Sequence, residues 1–216
     1  MADGNGRRRR GLRAVAIRNI VFDVGNVIVP WDPVGIERAA FGSERVEAHD
    51  YVSPLRGHPI FLALNRGELT IPETKPRYIE EGWSPEEVDQ LFQALFTSFP
   101  IKSDTLAMMH ALKDAGYRLF SITDNVHEIV ALLKDVHDFW PLFDVAAVSA
   151  EIGVLKPDPR IYRWLLDTAG IEPGESVFMD DVERNVEGAR AAGMEAFVFT
   201  DAAAARDSLR ALGVVM

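Results

Sequence analysis

Short apolar segments alternate with helix-forming segments along most of this chain, and that alternation constrains the fold more than any other feature. The apolar segments are rich in Val, Ile and Phe and cover residues 20–24, 118–123, 145–149, 176–179 and 196–199. Continuous short apolar runs are typical of strands that are buried on both faces of a sheet. The segments between them carry apolar residues at helical spacing and end at glycine, as at Gly116, Gly170 and Gly193. The pattern predicts an α/β fold, with a Rossmann-like parallel sheet core and helices on both faces.

Residues 32–99 interrupt the alternation, because they contain no convincing strand pattern. Helix-like segments cover 33–40, 44–51, 60–66, 72–81 and 88–98, the last of them after the capping sequence SPEE. An insertion after the first strand lies at the carboxyl edge of a parallel sheet, where such sheets bind ligands. We therefore predict an inserted all-helical cap domain over 32–99, an α/β core over 18–31 and 100–216, and a disordered basic tail over 1–17.

The composition argues against several classes of function. Apolar residues make up 48% and charged residues 26% of the chain, which is typical of globular proteins. The formal net charge of -10 opposes binding to nucleic acid or to anionic membranes. There is no cysteine for disulfides, and no apolar run reaches the ~18 residues that a membrane span needs. We expect a cytoplasmic monomer or homodimer that acts on a small molecule.

Polar residues follow four of the predicted strands at the point where each strand ends. They are Asp23 after the first, Thr123 and Asp124 at the second, Lys156 after the third, and Asp180 and Asp181 after the fourth. Taken singly, each would be an ordinary turn, core or helix-cap residue. Because the carboxyl ends of parallel strands meet at one edge of the sheet, these groups are expected to share a crevice and to form a catalytic site.

Other common catalytic motifs are absent from the sequence. It contains no GxGxxG after a strand, no GxxxxGK[ST] and no HExxH, so dinucleotide, P-loop and zinc-protease sites have no support.

The sequence contexts of the polar residues carry a resemblance to a known family. The motifs FDVGNV, KPDPRIY and DDVERNVEGA, together with Thr123, stand in the order of the four motifs of haloacid dehalogenase superfamily hydrolases, over residues 18–200. The residues of these motifs are similar to those of the alpha-glucose-1-phosphate phosphatase-like subgroup. The resemblance implies a phosphatase that hydrolyses a small phosphorylated metabolite, a sugar phosphate, through an aspartyl-phosphate intermediate.

The resemblance also implies a role for each residue. Asp23 would be the nucleophile, and Thr123 and Lys156 would stabilise the phosphoryl group. Mg²⁺ would be held by Asp23, the backbone carbonyl of Gly25 and Asp181, with Asp180 as an indirect ligand. Substrate contacts are expected from Gly25, Asn26, Thr123, Asp124, Asn125 and Lys156. From the cap, candidate contacts are Trp31, Asp32, His58, Asn65, Arg66 and Glu68.

One position departs from the family pattern. Most phosphatases of the family carry a second Asp, the general acid, two residues after the nucleophile, where this chain has Gly25. A 2-haloacid dehalogenase also lacks that residue, so this activity stays open, as does a catalytically silent protein that binds phosphorylated metabolites. The paired Asp180 and Asp181 favour the phosphatase, because dehalogenases need no metal. Substitutes for the missing acid are a metal-bound water, a cap residue, or Asp124 with a raised pKa.

Overall fold

The computed structural model describes residues 16–97 and 99–216, so most of the predicted basic tail lies outside the described residues. Five strands form one sheet: β1 Asn19–Phe22, β2 Arg118–Thr123, β3 Val145–Val148, β4 Ser176–Asp180 and β5 Glu195–Val198. The order across the sheet is β3-β2-β1-β4-β5, and every neighbouring pair is parallel. The predicted α/β fold is therefore confirmed, with β1 in the centre of the sheet.

The described part of residues 32–99 is helical. Its helices are α1 Pro33–Phe41, α2 Ser43–Val46, α3 Pro59–Asn65, α4 Ile71–Glu80 and α5 Pro85–Leu95. The predicted capping sequence starts α5, where Ser84 and Glu87 form a reciprocal capping box. The predicted helix over 44–51 is wrong in length, because α2 ends at Val46 and turns follow it. Val46 is the one buried residue of α2, so the segment has no apolar face that would stabilise further turns.

The remaining helices alternate with the other strands, as predicted. They are α6 Ser103–Asp114, α7 His127–Val136, α8 Ser149–Ile152, α9 Pro159–Ala169, α10 Glu183–Ala191 and α11 Ala202–Ala211. Alternate residues of β1 enter two apolar clusters: Ile20 packs with residues of α6 and α11, and Val21 packs with residues of α9 and α10. Helices thus cover both faces of the sheet.

The helices of residues 32–97 pack directly onto the sheet layer. Their buried residues, such as Leu64 and Leu91, belong to the same apolar cluster as Ile20. Ser149, at the start of α8, donates from Oγ to the carbonyl oxygen of Asn65 at 2.7 Å. The division into a cap domain and a core domain stays a prediction, as do the oligomeric state and the cytoplasmic location. No helix in the described ranges is both long and apolar enough to span a bilayer.

Candidate active site

Three of the predicted strand-end residues form one buried charge cluster. Lys156 Nζ lies 2.8 Å from Asp23 Oδ1 and 2.7 Å from Asp180 Oδ2. The ammonium also donates to the carbonyl oxygen of Ile122 at 3.2 Å, at the end of β2. Asp23 is 7% exposed, Lys156 5% and Asp180 fully buried. The ends of β1, β2 and β4 therefore converge on a single lysine.

Asp23 is placed by the end of strand β1. Its N–H donates to the carbonyl of Met179 at 2.9 Å, which continues the sheet ladder by one residue before the chain turns. Its Oδ1 accepts from the N–H of Val24 at 2.7 Å and from Lys156. Within residues 16–97 and 99–216, Oδ2 has no hydrogen-bond donor, and Asp23 lines a cavity. One carboxylate oxygen is thus held in place and the other is available to a ligand.

The two residues of the acidic pair at the end of β4, Asp180 and Asp181, make different contacts. Asp180 accepts from Lys156, from the N–H of Val182 at 2.8 Å and from Asn185 Nδ2 at 3.0 and 3.1 Å. Asp181 is only half-buried, lines the cavity and accepts from Asn26 Nδ2 at 2.9 Å. Asp180 therefore orients the lysine, while Asp181 faces the ligand space.

The site has the composition that a hard divalent cation requires. Asp23, Asp180 and Asp181 each offer a carboxylate oxygen, and these atoms lie within 4.8 Å of one another. Three carboxylates against the single ammonium of Lys156 leave two uncompensated negative charges. Asn185 adds a buried Oδ1 that has no hydrogen-bond partner among the described residues. An all-oxygen site with this charge suits Mg²⁺.

The electrostatics of the cluster reflect this excess of carboxylates. Burial raises the pKa of Asp23 to about 8, against the opposing attraction of Lys156, and Asp180 adds to the rise. Burial by itself would lower the pKa of Lys156, but the neighbouring carboxylates of Asp23 and Asp180 outweigh burial and raise it. The lysine therefore remains charged, and added positive charge would favour the ionised form of Asp23.

The residues that follow β2 differ in their access to the cavity. Thr123 is buried and is not part of the cavity wall, whereas Asp124 and Asn125 line it. Asp124 Oδ1 accepts from the N–H of Lys156 at 2.9 Å. Removal from water raises the pKa of Asp124, and the attraction of Lys156 only partly offsets this. The substrate role of Thr123 stays a prediction, and Asp124 is a carboxyl group that opens onto the ligand space.

Gly25 and Asn26 also line the cavity, but the Asn26 side chain already has protein partners. Its Nδ2 donates to Asp181, and its Oδ1 accepts from the N–H of Trp31 at 2.8 Å. Asn26 has a φ of 55°, a left-handed conformation that Asn tolerates better than most residues. The structure thus shows Asn26 holding Asp181 and the start of the cap segment in place.

The cavity has a volume of about 260 Å³ and lies between the strand ends and the helices of residues 32–97. Of the six candidate cap contacts, Trp31 and Asn65 line it. The other four lie elsewhere: Asp32 caps α1, His58 caps α3 and pairs with Glu81 at 3.1 Å, and Arg66 and Glu68 bind each other. Their polar side chains are explained by local contacts with the chain itself.

Much of the cavity wall consists of apolar residues that the sequence analysis did not predict as site residues. They include Leu55, Phe61, Leu62, Ile129 and Leu155, and two arginines, Arg56 and Arg184, join them. Apolar residues at helical spacing look the same in sequence whether they contact a core or a ligand. Only their placement in the folded chain identifies them as part of the site.

Comparison with known proteins agrees with this geometry. A family model of haloacid dehalogenase-like hydrolases matches residues 17–193. The sesquiterpene phosphatase astK of Aspergillus oryzae is 24% identical over 193 residues, covering 89% of this chain and 94% of that protein. The phosphoserine phosphatase of Thermus thermophilus is 29% identical over 121 residues, covering 54% of this chain and 49% of that protein.

Longer relatives match over only part of their length. The bifunctional epoxide hydrolase 2 of Rattus norvegicus is 30% identical over 124 residues, and the match covers 55% of this chain but only 22% of that protein. Among solved structures, the HAD family enzyme bt-2542 of Bacteroides thetaiotaomicron superposes with a TM-score of 0.70 at 21% identity, covering 86% of this chain and 94% of that one. This likeness supports the fold. From its motifs, its fold and the family match over residues 17–193, the chain belongs to the haloacid dehalogenase-like hydrolases.

Proposed function

We propose that this hydrolase is a Mg²⁺-dependent phosphatase that cleaves a small phosphorylated metabolite through a phosphorylated Asp23. The observation that carries the proposal is the arrangement of Asp23, which lines the cavity beside the acidic pair, with Oδ1 held by Lys156 and Oδ2 without a donor among the described residues. Relatives named as phosphatases support it. The Bacteroides enzyme of the same fold has been crystallised with magnesium and inorganic phosphate, which supports the choice of metal.

The residues of this chain account for the two steps. Asp23 Oδ2 attacks phosphorus, the bond from phosphorus to the ester oxygen breaks, and the alcohol leaves. Lys156 stabilises the negative charge that the phosphoryl group brings next to the carboxylate. Water then attacks the phosphorus of the aspartyl-phosphate and the bond from phosphorus to Asp23 Oδ2 breaks, so phosphate leaves with the protons of the water and the Asp23 carboxylate is restored. Mg²⁺, held by Asp23, the Gly25 carbonyl and Asp181, would supply the further positive charge that a phosphate dianion needs near a carboxylate.

The leaving alcohol needs a proton, and Gly25 cannot supply it. We assign this role to Asp124, which lines the cavity and whose pKa is raised. Asp124→Asn should lower kcat/KM for alkyl monoesters by about a hundredfold or more, and much less for aryl phosphates, whose leaving groups need no proton. Gly25→Asp should restore part of the loss, because a Cβ at Gly25 would meet only Trp31 Cβ at 3.6 Å. An equal loss for both substrate types would contradict the assignment.

One assay separates the three activities that the sequence left open. Phosphate release from a panel of phosphate monoesters is measured with Mg²⁺ and in excess chelator, beside halide release from a 2-haloacid. We expect phosphate release that requires Mg²⁺. Halide release that persists in chelator would identify a dehalogenase, and binding of esters without any release would identify a silent binding protein. The prediction of a sugar phosphate rests only on the residues of the sequence motifs. The residues of the cavity wall favour a different organic group.

A further inference from the structure

The cavity is lined by two chemically different sets of residues. The charged end consists of Asp23 and its charged neighbours, and the apolar wall consists of Trp31, Leu55, Phe61, Leu62, Ile129 and Leu155. The rings of Trp31 and Phe61 are nearly parallel, with an interplanar angle of 3° and centroids 5.9 Å apart. Side chains from α3, α7 and the loops before α1, α3 and α9 thus supply apolar surface to the cavity.

Most polar side chains on this wall are already bonded to protein. Asn26 has partners at both ends of its amide. Asn65 donates from Nδ2 to the carbonyl oxygen one turn earlier in α3, at 2.8 Å. Arg56 donates to the buried carboxylate of Glu37 at 3.2 Å, which neutralises its charge. Arg184 belongs to the charged end, because its positive charge partly offsets the rise in the pKa of nearby Asp124. Outside the charged end and the candidate Mg²⁺ site, the lining side-chain atoms without a partner among the described residues are Asn65 Oδ1, Asn125 Nδ2, Arg56 Nη1 and Trp31 Nε1. Only Asn65 Oδ1 among them can accept a hydrogen bond from a hydroxyl group.

The chemistry of the wall decides which organic group is favoured. A sugar carries several hydroxyl groups, and each one that loses water without gaining a hydrogen bond raises the free energy of the complex. An alkyl or aryl group gains free energy when it leaves water for this wall. The cavity volume of about 260 Å³ is small for a ligand site, which favours a short group.

We propose that the substrate is the phosphate monoester of a short apolar alcohol or phenol, an inference that rests on the proposed phosphatase function. The charged end binds the phosphate, and the apolar wall selects the organic group. Sugar phosphates fit the charged end as well as any monoester, but they leave hydroxyl groups without partners against the wall.

A series of alkyl phosphates tests the inference without changing the chemistry of the leaving group. For ethyl, butyl and hexyl phosphate, kcat/KM should rise by about fourfold for each methylene group that the wall buries. Glucose 6-phosphate, which is also a primary alkyl ester, should be cleaved less efficiently than hexyl phosphate. A flat series, or a higher kcat/KM for glucose 6-phosphate than for hexyl phosphate, would overturn the inference.

A matched pair of variants assigns the effect to the wall. Leu62 and Leu106 are both half-buried leucines in helices, but only Leu62 lines the cavity. Leu62→Gln should lower the ratio of kcat/KM for hexyl phosphate to that for ethyl phosphate by about tenfold. Leu106→Gln should leave this ratio unchanged. An equal change in both variants would show that the preference does not arise at the wall.

Alkylphosphonates separate this inference from the phosphatase function, because they have no ester bond to cleave. Their Kd in the presence of Mg²⁺, measured by calorimetry, should fall from ethyl- to hexylphosphonate. If Kd falls along the series but no ester releases phosphate, the phosphatase function is wrong and the apolar site stands. If phosphate is released but neither Kd nor kcat/KM depends on chain length, the phosphatase stands and the apolar substrate is wrong.

Discussion

The two ends of the cavity are built by different parts of the molecule under different physical constraints. The hydrogen-bonded ladder of a parallel sheet places Asp23 and Asp180 at the strand ends, and Lys156, from the loop before α9, contacts both at 2.7–2.8 Å. At the apolar wall, helices and loops supply apolar side chains that pack on one another. The comparison teaches that one end needs exact placement of charge, whereas the other needs only shape and low polarity.

The two ends also contribute differently to stability. Buried carboxylates that exceed the available cations raise the free energy of the folded protein until they bind a proton or a metal. Of the apolar wall, Leu55, Phe61 and Ile129 belong to the main hydrophobic cluster and Trp31 packs against it, and their burial stabilises the fold. A substitution at the charged end should therefore change the reaction most, and one at the cap should change stability or selectivity.

The largest effect is expected from a substitution at the charged end of the cavity. Asp23→Asn should abolish phosphate release, because a neutral amide cannot form the acyl-phosphate. Thermal unfolding should show that the fold persists, since Asn has nearly the same volume. The measurement is phosphate release, with mass spectrometry to exclude deamidation back to Asp. Activity above about a hundredth of the wild-type value would show that Asp23 is not the nucleophile.

The next largest effect is the difference between substitutions of the two residues of the acidic pair. Asp181→Ala should weaken activation by Mg²⁺ by about tenfold or more with little change in Tm, because Asp181 faces the cavity. Asp180→Ala should weaken Mg²⁺ activation less but lower Tm more, because it leaves Asn185 Nδ2 without its buried partner and removes one of the two carboxylates that contact Lys156. Titration of activity against Mg²⁺ and thermal unfolding of both variants provide the test. Equal behaviour in both measurements would remove the division of roles.

The charged end should also make stability depend on pH when the metal is removed. The pKa of Asp23 is raised to about 8 in the folded state, so the folded protein keeps a proton that the unfolded chain loses above its ordinary carboxyl pKa. This contribution is complete below the unfolded pKa and is lost as pH rises towards about 8. The slope reaches at most about 1.4 kcal/mol per pH unit.

Denaturant unfolding in chelator between about pH 5 and pH 8 measures this slope, with Asp23→Asn as the control that cannot titrate. The free energy of unfolding of the wild type should fall relative to the variant as pH rises, and saturating Mg²⁺ should reduce the difference. Parallel curves for the two proteins in chelator would contradict the assignment of the raised pKa to Asp23.

The smallest effect concerns the packing of the helices of residues 32–97 on the sheet layer. Gly67 has a φ of 66°, and a Cβ there would lie 2.1 Å from the carbonyl oxygen of Ala150. Gly57 has a similar φ of 72° but nothing within 4 Å of its Cβ position. Gly57→Ala should lower the free energy of unfolding by about 1 kcal/mol. Gly67→Ala should cost about 1–3 kcal/mol more, since backbone must move. Equal losses would show that the contact with Ala150 is unimportant.

The helical segment that β1 leads into shows where sequence reasoning was limited. The predicted helix over 44–51 shortened to the four residues of α2, because its turns had nothing to pack against. Asp32, His58, Arg66 and Glu68 were candidate contacts because polar residues in a cap are reasonable ligands. Their side chains instead cap helices or pair with neighbouring residues. Sequence spacing cannot tell whether a polar side chain will bind another residue of the chain or a ligand.

The sequence by itself determined the strands of the sheet and the placement of Asp23 and the acidic pair at their ends, because short apolar runs form strands whose ends meet at one edge. Only the tertiary structure decided that Asn26 holds Asp181, that Asp180 orients Lys156, and that Leu62 and Phe61 face a cavity. Strand formation depends on nearby residues with a regular period. Contacts between residues far apart in the chain depend on how the elements pack, which no local pattern records.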